Sequence, residues 1–131
     1  MNDNKNIMPI NKQPAIRVLT MPKDANPNGD IFGGWIMSQV DTAGAVTAMK
    51  RAGGRVTTVA VTSFEFKKPV FVGDLISCFA EIEKVGRTSI TVRIVAYAER
   101  GGREKCTIRV TEATIVYVAL DENRRPRPID G

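Results

Sequence analysis

This chain of 131 residues contains no histidine. That absence removes Ser-His-Asp and Cys-His nucleophilic systems, imidazole general bases and most zinc sites. Cysteine is scarce. Cys78 and Cys106 lack CxxC spacing and sit inside apolar runs, so they read as buried free thiols with no metal to hold. Aromatic residues are only 6% of the chain and do not alternate with Arg and Lys. Nucleic acid is therefore not expected as a ligand, although the net charge is +5. That charge leaves two readings open, a phosphate-bearing partner or plain solubility. Neither a GxxxxGK phosphate loop nor a GxGxxG turn stands between a strand and a helix, so nucleotide-hydrolysing and dinucleotide-binding folds have no support. Long unbroken apolar runs and an apolar leader segment are missing too, which predicts neither a membrane span nor a signal peptide. With two unpaired cysteines the expected compartment is the reducing cytoplasm. The chemistry must run on carboxylate, amide, hydroxyl and backbone groups.

What is present is led by one carboxylate. Residues 33–53 read GGWIMSQVDTAGAVTAMKRAG, and before Lys50 the only charge is Asp41. Trp35, Ile36, Met37, Val40, Ala43, Ala45, Val46 and Ala48 fall all round a helix of 3.6-residue period, which predicts a buried helix. An ionised carboxylate is rarely buried without a partner, because desolvation is costly or raises its pKa. Asp41 is thus either a satisfied structural acid or a tuned general base. The helix is entered through Asn26-Pro27-Asn28-Gly29-Asp30-Ile31-Phe32-Gly33-Gly34, an ordered turn by composition. Gly33 and Gly34 leave backbone N–H groups uncovered at a helix start, which suits a developing oxyanion. They also allow close approach to a sheet, and the two roles are compatible. Donors at the helix start with a carboxylate two turns on make a candidate hydrolytic site.

The organisation follows from period. Residues 1–13 form an N-terminal arm expected to be flexible, 14–120 a single domain, and 121–131 an exposed tail rich in Arg and Pro. After a short strand at 14–20 and the helix, segments 56–66, 75–85, 88–98 and 105–119 are rich in Val, Ile, Thr and aromatics. Turns at 69–74, 86–87 and 100–103 are short, so neighbours should be antiparallel. The predicted class is α+β, a long central helix wrapped by an antiparallel sheet of about five to six strands. Segment 107–119 is apolar on both faces, whereas one helix covers only one face. A second copy of the chain is the expected cover.

Residues 25–41, ANPNGDIFGGWIMSQVD, together with 59–61, 66–74 and 85–90, resemble the YciA-like acyl-CoA thioesterases of the hotdog fold. The resemblance runs from about Val18 to Leu120. It implies a dimer with a continuous sheet, commonly assembled into a trimer of dimers (a hexamer), and hydrolysis of acyl-CoA to free acid and coenzyme A, a reaction of lipid metabolism. It further implies that Asp41 is the essential acid, that Asn26 faces it from the other protomer, and that the Gly34 N–H polarises the thioester carbonyl. Thioesters carry a good leaving group, so a base and an oxyanion donor suffice without a triad or a cofactor. Whether Asp41 directs water or attacks through an anhydride stays open. Asn26 beside Pro27 also reads as a turn-former.

Coenzyme A carries phosphates, and Lys67, Lys68, Gly86, Arg87, Thr88 and Ser89 at strand ends and turns are the candidates to hold them. Taken singly, each reads first as a solvated surface group, and the set together supports the phosphate reading better than its members. Two alternatives stand beside the hydrolase. A non-catalytic acyl-CoA sensor has no need of a buried base, and a hotdog dehydratase would be expected to use a histidine.

Overall fold

The computed structural model describes residues 6–101 and 106–131. The expected turn at 100–103 and the start of the strand expected at 105 therefore lie partly outside the described residues, as does the first part of the arm. Strand β1 (Ile16–Leu19) is followed by a single 3-10 turn at Pro22–Asp24, which the sequence reading did not anticipate. Helix α1 (Gly33–Ala52) comes next, then β2 (Val56–Phe66), β3 (Leu75–Val85), β4 (Ser89–Arg100) and β5 (Cys106–Ala119). All neighbours are antiparallel, in the order β1-β3-β4-β5-β2. No helix among the described residues is long and apolar enough to cross a membrane.

The helix lies across one face of this sheet. Its buried residues are Ile36, Val40, Ala43, Gly44, Ala48 and Ala52, a single stripe at three- and four-residue spacing. Most of that stripe is small, which lets the axis come close to Ile90, Val92, Ile94, Ile115 and Tyr117 on the sheet. The expectation of burial on all sides is corrected here. Met37 and Met49 are exposed and Asp41 is half-buried, because one sheet can cover only one side of a helix. Gly53 stops α1 in the left-handed conformation, φ 71°, with its N–H donating to the Met49 carbonyl.

The described part of the arm and the tail are both tied to this body. Along the arm, the Arg109 N–H donates to Asn6 Oδ1, and Met8 packs on Phe79, Val95 and Tyr97 on the face away from the helix. In the tail, Arg127 Nη2 donates to the Ala52 carbonyl at 2.7 Å, filling an orphan acceptor at the helix end, and Ile129 packs against the core. Arg124, Arg125 and Pro126 remain exposed. Of the two cysteines, Cys78 is buried, and burial pushes its thiol up to about 12. Cys106 is exposed, against expectation, because it opens β5 at the end of the sheet.

The edge strand β2 stands apart. Among the described residues it pairs only with β5, and nearly all of its residues are exposed on both faces, Val59, Val61 and Phe66 included. A long edge carrying apolar side chains is an open template for another strand.

Candidate active site

Asp41 sits on the side of α1 that faces the start of β2 and the end of β5. Thr58 Oγ1 donates to Asp41 Oδ1 at 2.8 Å, and the Tyr117 hydroxyl lies 3.1 Å from the same Oδ1 and 2.9 Å from the Asp41 carbonyl oxygen. Tyr117 is fully buried. Burial, the negative charge of Asp41 and the hydrogen bond to it all raise the phenol above its ordinary range, so Tyr117 stays protonated and acts as a donor. The close seat of this ring explains a glycine inside the helix. A Cβ on Gly44 would stand 2.2 Å from the Tyr117 hydroxyl oxygen and 2.9 Å from its ring.

The segment entering the helix is built as a rigid turn. Asn26 Oδ1 accepts the N–H groups of Asn28 and Asp30, at 2.9 and 3.1 Å. The turn-forming role of Asn26 is thus real, and it occupies the side-chain oxygen while the amide NH2 has no hydrogen-bond partner among the described residues. Phe32, the residue before the helix, offers no side-chain cap. The roles of the two glycines divide. A Cβ on Gly33 would meet the Phe66 ring at 3.2 Å, so this glycine serves close approach. At Gly34 a Cβ would meet nothing within 4 Å, and its N–H makes no backbone hydrogen bond among the described residues.

An ion pair between buried Asp74 and half-buried Arg100 anchors this turn to the sheet. Arg100 donates to both oxygens of Asp74, at 3.2 and 2.8 Å, and Asp74 Oδ2 accepts the Phe71 N–H. The loop so held receives the Ile31 N–H on the Val70 carbonyl, fixing the approach to Gly33. Beside it, Asp30, Gly33, Phe66, Lys67 and Lys68 line a cleft of about 310 Å³.

The candidate residues do not come together within one chain. Gly34 and Asp41 are seven residues apart, about 10 Å along a helix. No hydrogen bond joins Asn26 to Asp41 among the described residues. The phosphate candidates split as well. Lys67 and Lys68 lie beside the helix start, and Lys67 is already drawn to Glu112 and Glu65, at 3.5 and 3.7 Å. Gly86, Arg87, Thr88 and Ser89 form the β3–β4 turn at the opposite end of the sheet, next to Val118 and Ala119. There the Gly86 N–H donates to the Ser89 carbonyl, which makes it a turn-closing group. A smaller cavity of about 180 Å³, lined by Phe79, Arg93, Tyr97 and Arg109, opens on the outer face away from Asp41.

Thr58, Tyr117 and the Asp74–Arg100 pair were not foreseen. A tyrosine on an otherwise aliphatic buried strand face asks for a hydroxyl partner, and a helix-interior glycine asks for a close neighbour. Those two signals were available. Nothing in the sequence singles out Thr58 among the threonines of β2.

Fold and site together define a class, a helix wrapped by an antiparallel sheet with a carboxylate on the helix and an open donor at its start. Residues 28–105 match the thioesterase superfamily. The acyl-CoA thioester hydrolase YciA of Salmonella typhimurium is 47% identical over 117 residues, covering 88% of each chain. The hexameric hotdog fold thioesterase of Campylobacter jejuni superposes with a TM-score of 0.87 at 40% identity, covering 91% of each chain. An acyl-CoA hydrolase of Staphylococcus aureus, solved with butyryl coenzyme A and coenzyme A, superposes with a TM-score of 0.79 at 29% identity, covering 86% of this chain and 68% of its own. Aspartate-to-alanine and threonine-to-alanine variants of that hydrolase are also similar to this chain. This chain belongs to the thioesterase superfamily and, within it, to the YciA-like acyl-CoA thioester hydrolases with the hotdog fold.

Proposed function

We propose that the chain hydrolyses acyl-CoA thioesters to a free carboxylic acid and coenzyme A, in sites assembled from two copies of the chain. The observation that carries this reading is the division of the machinery. Asp41, braced by Thr58, is about 10 Å along the helix from the open Gly34 N–H, too far to serve one carbonyl group. In the Staphylococcus aureus hydrolase the two substituted positions are as far apart in sequence as Asp41 and Thr58 are here, which supports the role of this pair.

An antiparallel pairing of two β2 edges about a two-fold axis resolves the separation. Gly33 touches Phe66 at one end of β2, while Asp41 is bonded to Thr58 near the other. Two-fold pairing sets the first end of one strand beside the second end of the other. The same pairing puts the β3–β4 turn of one copy at the end of the sheet where the other carries Lys67 and Lys68. Three such dimers would give a hexamer, and the Campylobacter relative is hexameric.

The chemistry then balances simply. A water oxygen attacks the thioester carbon while its proton passes to Asp41. Charge gathers on the carbonyl oxygen, where the Gly34 N–H and the Asn26 amide of the other copy donate to it. Collapse breaks the C–S bond, and the thiolate leaves with its electron pair and takes up a proton. Attack by Asp41 itself would use the same carboxylate and form an anhydride for water to open.

A panel of acyl-CoA substrates, followed by thiol release, tests the activity. Asp41→Asn should cut turnover by roughly a hundredfold or more without changing the oligomer. A folded Asp41→Asn variant with wild-type turnover would sink the assignment.

A further inference from the structure

The two oxygens of Asp41 are not equivalent. Oδ1 is approached by both Thr58 Oγ1 and the Tyr117 hydroxyl, whereas Oδ2 has no hydrogen-bond partner among the described residues. We propose that Tyr117 is a positioning residue which, with Thr58, pins Oδ1 and so leaves Oδ2 as the oxygen that acts on water or on the thioester carbon. This rests on the assignment of Asp41 as the acid of the reaction.

Three observations support it. The Tyr117 hydroxyl has one proton and two acceptors in reach, the Asp41 carbonyl and Oδ1. The carbonyl lies inside the helix, where the N–H four residues on already serves it, so Oδ1 gains more from the donor. Second, the ring is held without freedom. It is fully buried, and its hydroxyl occupies the space that any side chain at Gly44 would need. Third, donors come from two different strands, β2 and β5, so rotation about the carboxylate's terminal bond breaks both bonds at once. That bond is otherwise a soft torsion. A carboxylate free to turn would present its reactive oxygen only part of the time, which costs turnover while leaving substrate affinity alone.

The experiment is a double-mutant cycle on the assembled enzyme, with kcat, KM and thermal unfolding measured for Tyr117→Phe, Thr58→Val and the double variant. Phe keeps the ring volume and removes only the hydroxyl. Tyr117→Phe should lower kcat about tenfold with KM within about twofold, in line with one bond to a charged group. The double variant should lose more than the product of the single losses, since either donor alone still holds Oδ1 in part. Full kcat in Tyr117→Phe with a lowered Tm would overturn the proposal, because the hydroxyl would then serve only the helix backbone. Equal falls in kcat and rises in KM would overturn it too. Should Tyr117→Phe fail to fold, a fluorinated tyrosine at 117 keeps the hydroxyl and alters its acidity. A change in kcat at constant KM and Tm then supports the proposal, and no change overturns it. Asp41→Asn separates the two levels. Wild-type turnover there removes the acid and the proposal together, whereas an inactive Asp41→Asn beside a fully active Tyr117→Phe removes the proposal alone.

Discussion

At the scale of the residue, Asp41, Tyr117 and Gly44 form one unit in which each explains another. The tyrosine needs the missing side chain at Gly44 to reach the helix, and the carboxylate needs the tyrosine hydroxyl to hold one oxygen. Glycine inside a helix ordinarily costs about 1 kcal/mol against alanine, so Gly44→Ala ought to stabilise the chain on propensity alone. Here the contact decides the sign. The new Cβ would meet a buried aromatic group at 2.2 Å, and overpacking of that kind costs about 1–3 kcal/mol or more. Gly44→Ala should therefore lower Tm and lower kcat, measured by thermal unfolding and acyl-CoA turnover. A gain in Tm would show that the ring can withdraw. Gly34→Ala is the contrasting case, since a Cβ there meets nothing and the backbone N–H is kept. Asn26 teaches a related lesson. Its oxygen is committed to the turn, while its nitrogen has no hydrogen-bond partner among the described residues and is available for the donor role proposed above.

At the scale of the element, the basic side chains divide into committed and free. Lys67 is drawn to Glu65 and Glu112, and Glu112 is itself bonded by Arg93 and Arg109. Arg87 is exposed on the β3–β4 turn and has no side-chain partner among the described residues. Arg87 is therefore the better candidate for a coenzyme A phosphate, at a turn already closed by Gly86 and Ser89. Arg87→Ala should raise KM for acyl-CoA with kcat little changed, because the nucleotide is remote from the breaking bond. The loss should correspond to about 1–3 kcal/mol and shrink as salt is added. An acyl-pantetheine substrate, which lacks the nucleotide phosphates, should be hydrolysed equally by both proteins. Equal losses on both substrates would assign Arg87 to the fold or the interface. The loop 69–74 is the other decisive element. It is clamped by Asp74 and Arg100, and through the Ile31–Val70 bond it carries the entrance of α1.

At the scale of the whole molecule, a single copy leaves three things unfinished. The β2 edge is open, the outward side of α1 is exposed at Met37 and Met49, and the acid and the open donor are far apart. The antiparallel partner along β2 proposed above would close the edge and bring acid and donor together. A shared site makes a quantitative prediction. Mixing inactive Asn26→Ala and Asp41→Asn chains should restore about a quarter of wild-type activity under random pairing, since half the dimers are mixed and each has one intact site of two. Turnover after verified subunit exchange is the measurement. No recovery would place both residues in the same copy's site.

Sequence alone determined the long helix and the strands of this protein and singled out Asp41 as the candidate acid. The switch from a helical to an alternating period at Gly53-Gly54 marked where α1 ends and the sheet begins, because side-chain period is set by backbone geometry within a few residues. The lone charge in an apolar helix marked Asp41 for the same local reason. What tertiary structure decided was everything that depends on distance across the sheet. Thr58 and Tyr117 are 17 and 76 positions from Asp41, and only the β2–β5 pairing sets them on one carboxylate oxygen. The same pairing placed Lys67 and Arg87 at opposite ends of the sheet, although both read alike as basic turn residues. It also turned a helix that is apolar on all sides into one that is half open. A sheet has two faces and an edge, and no local pattern says which of them a second chain will cover.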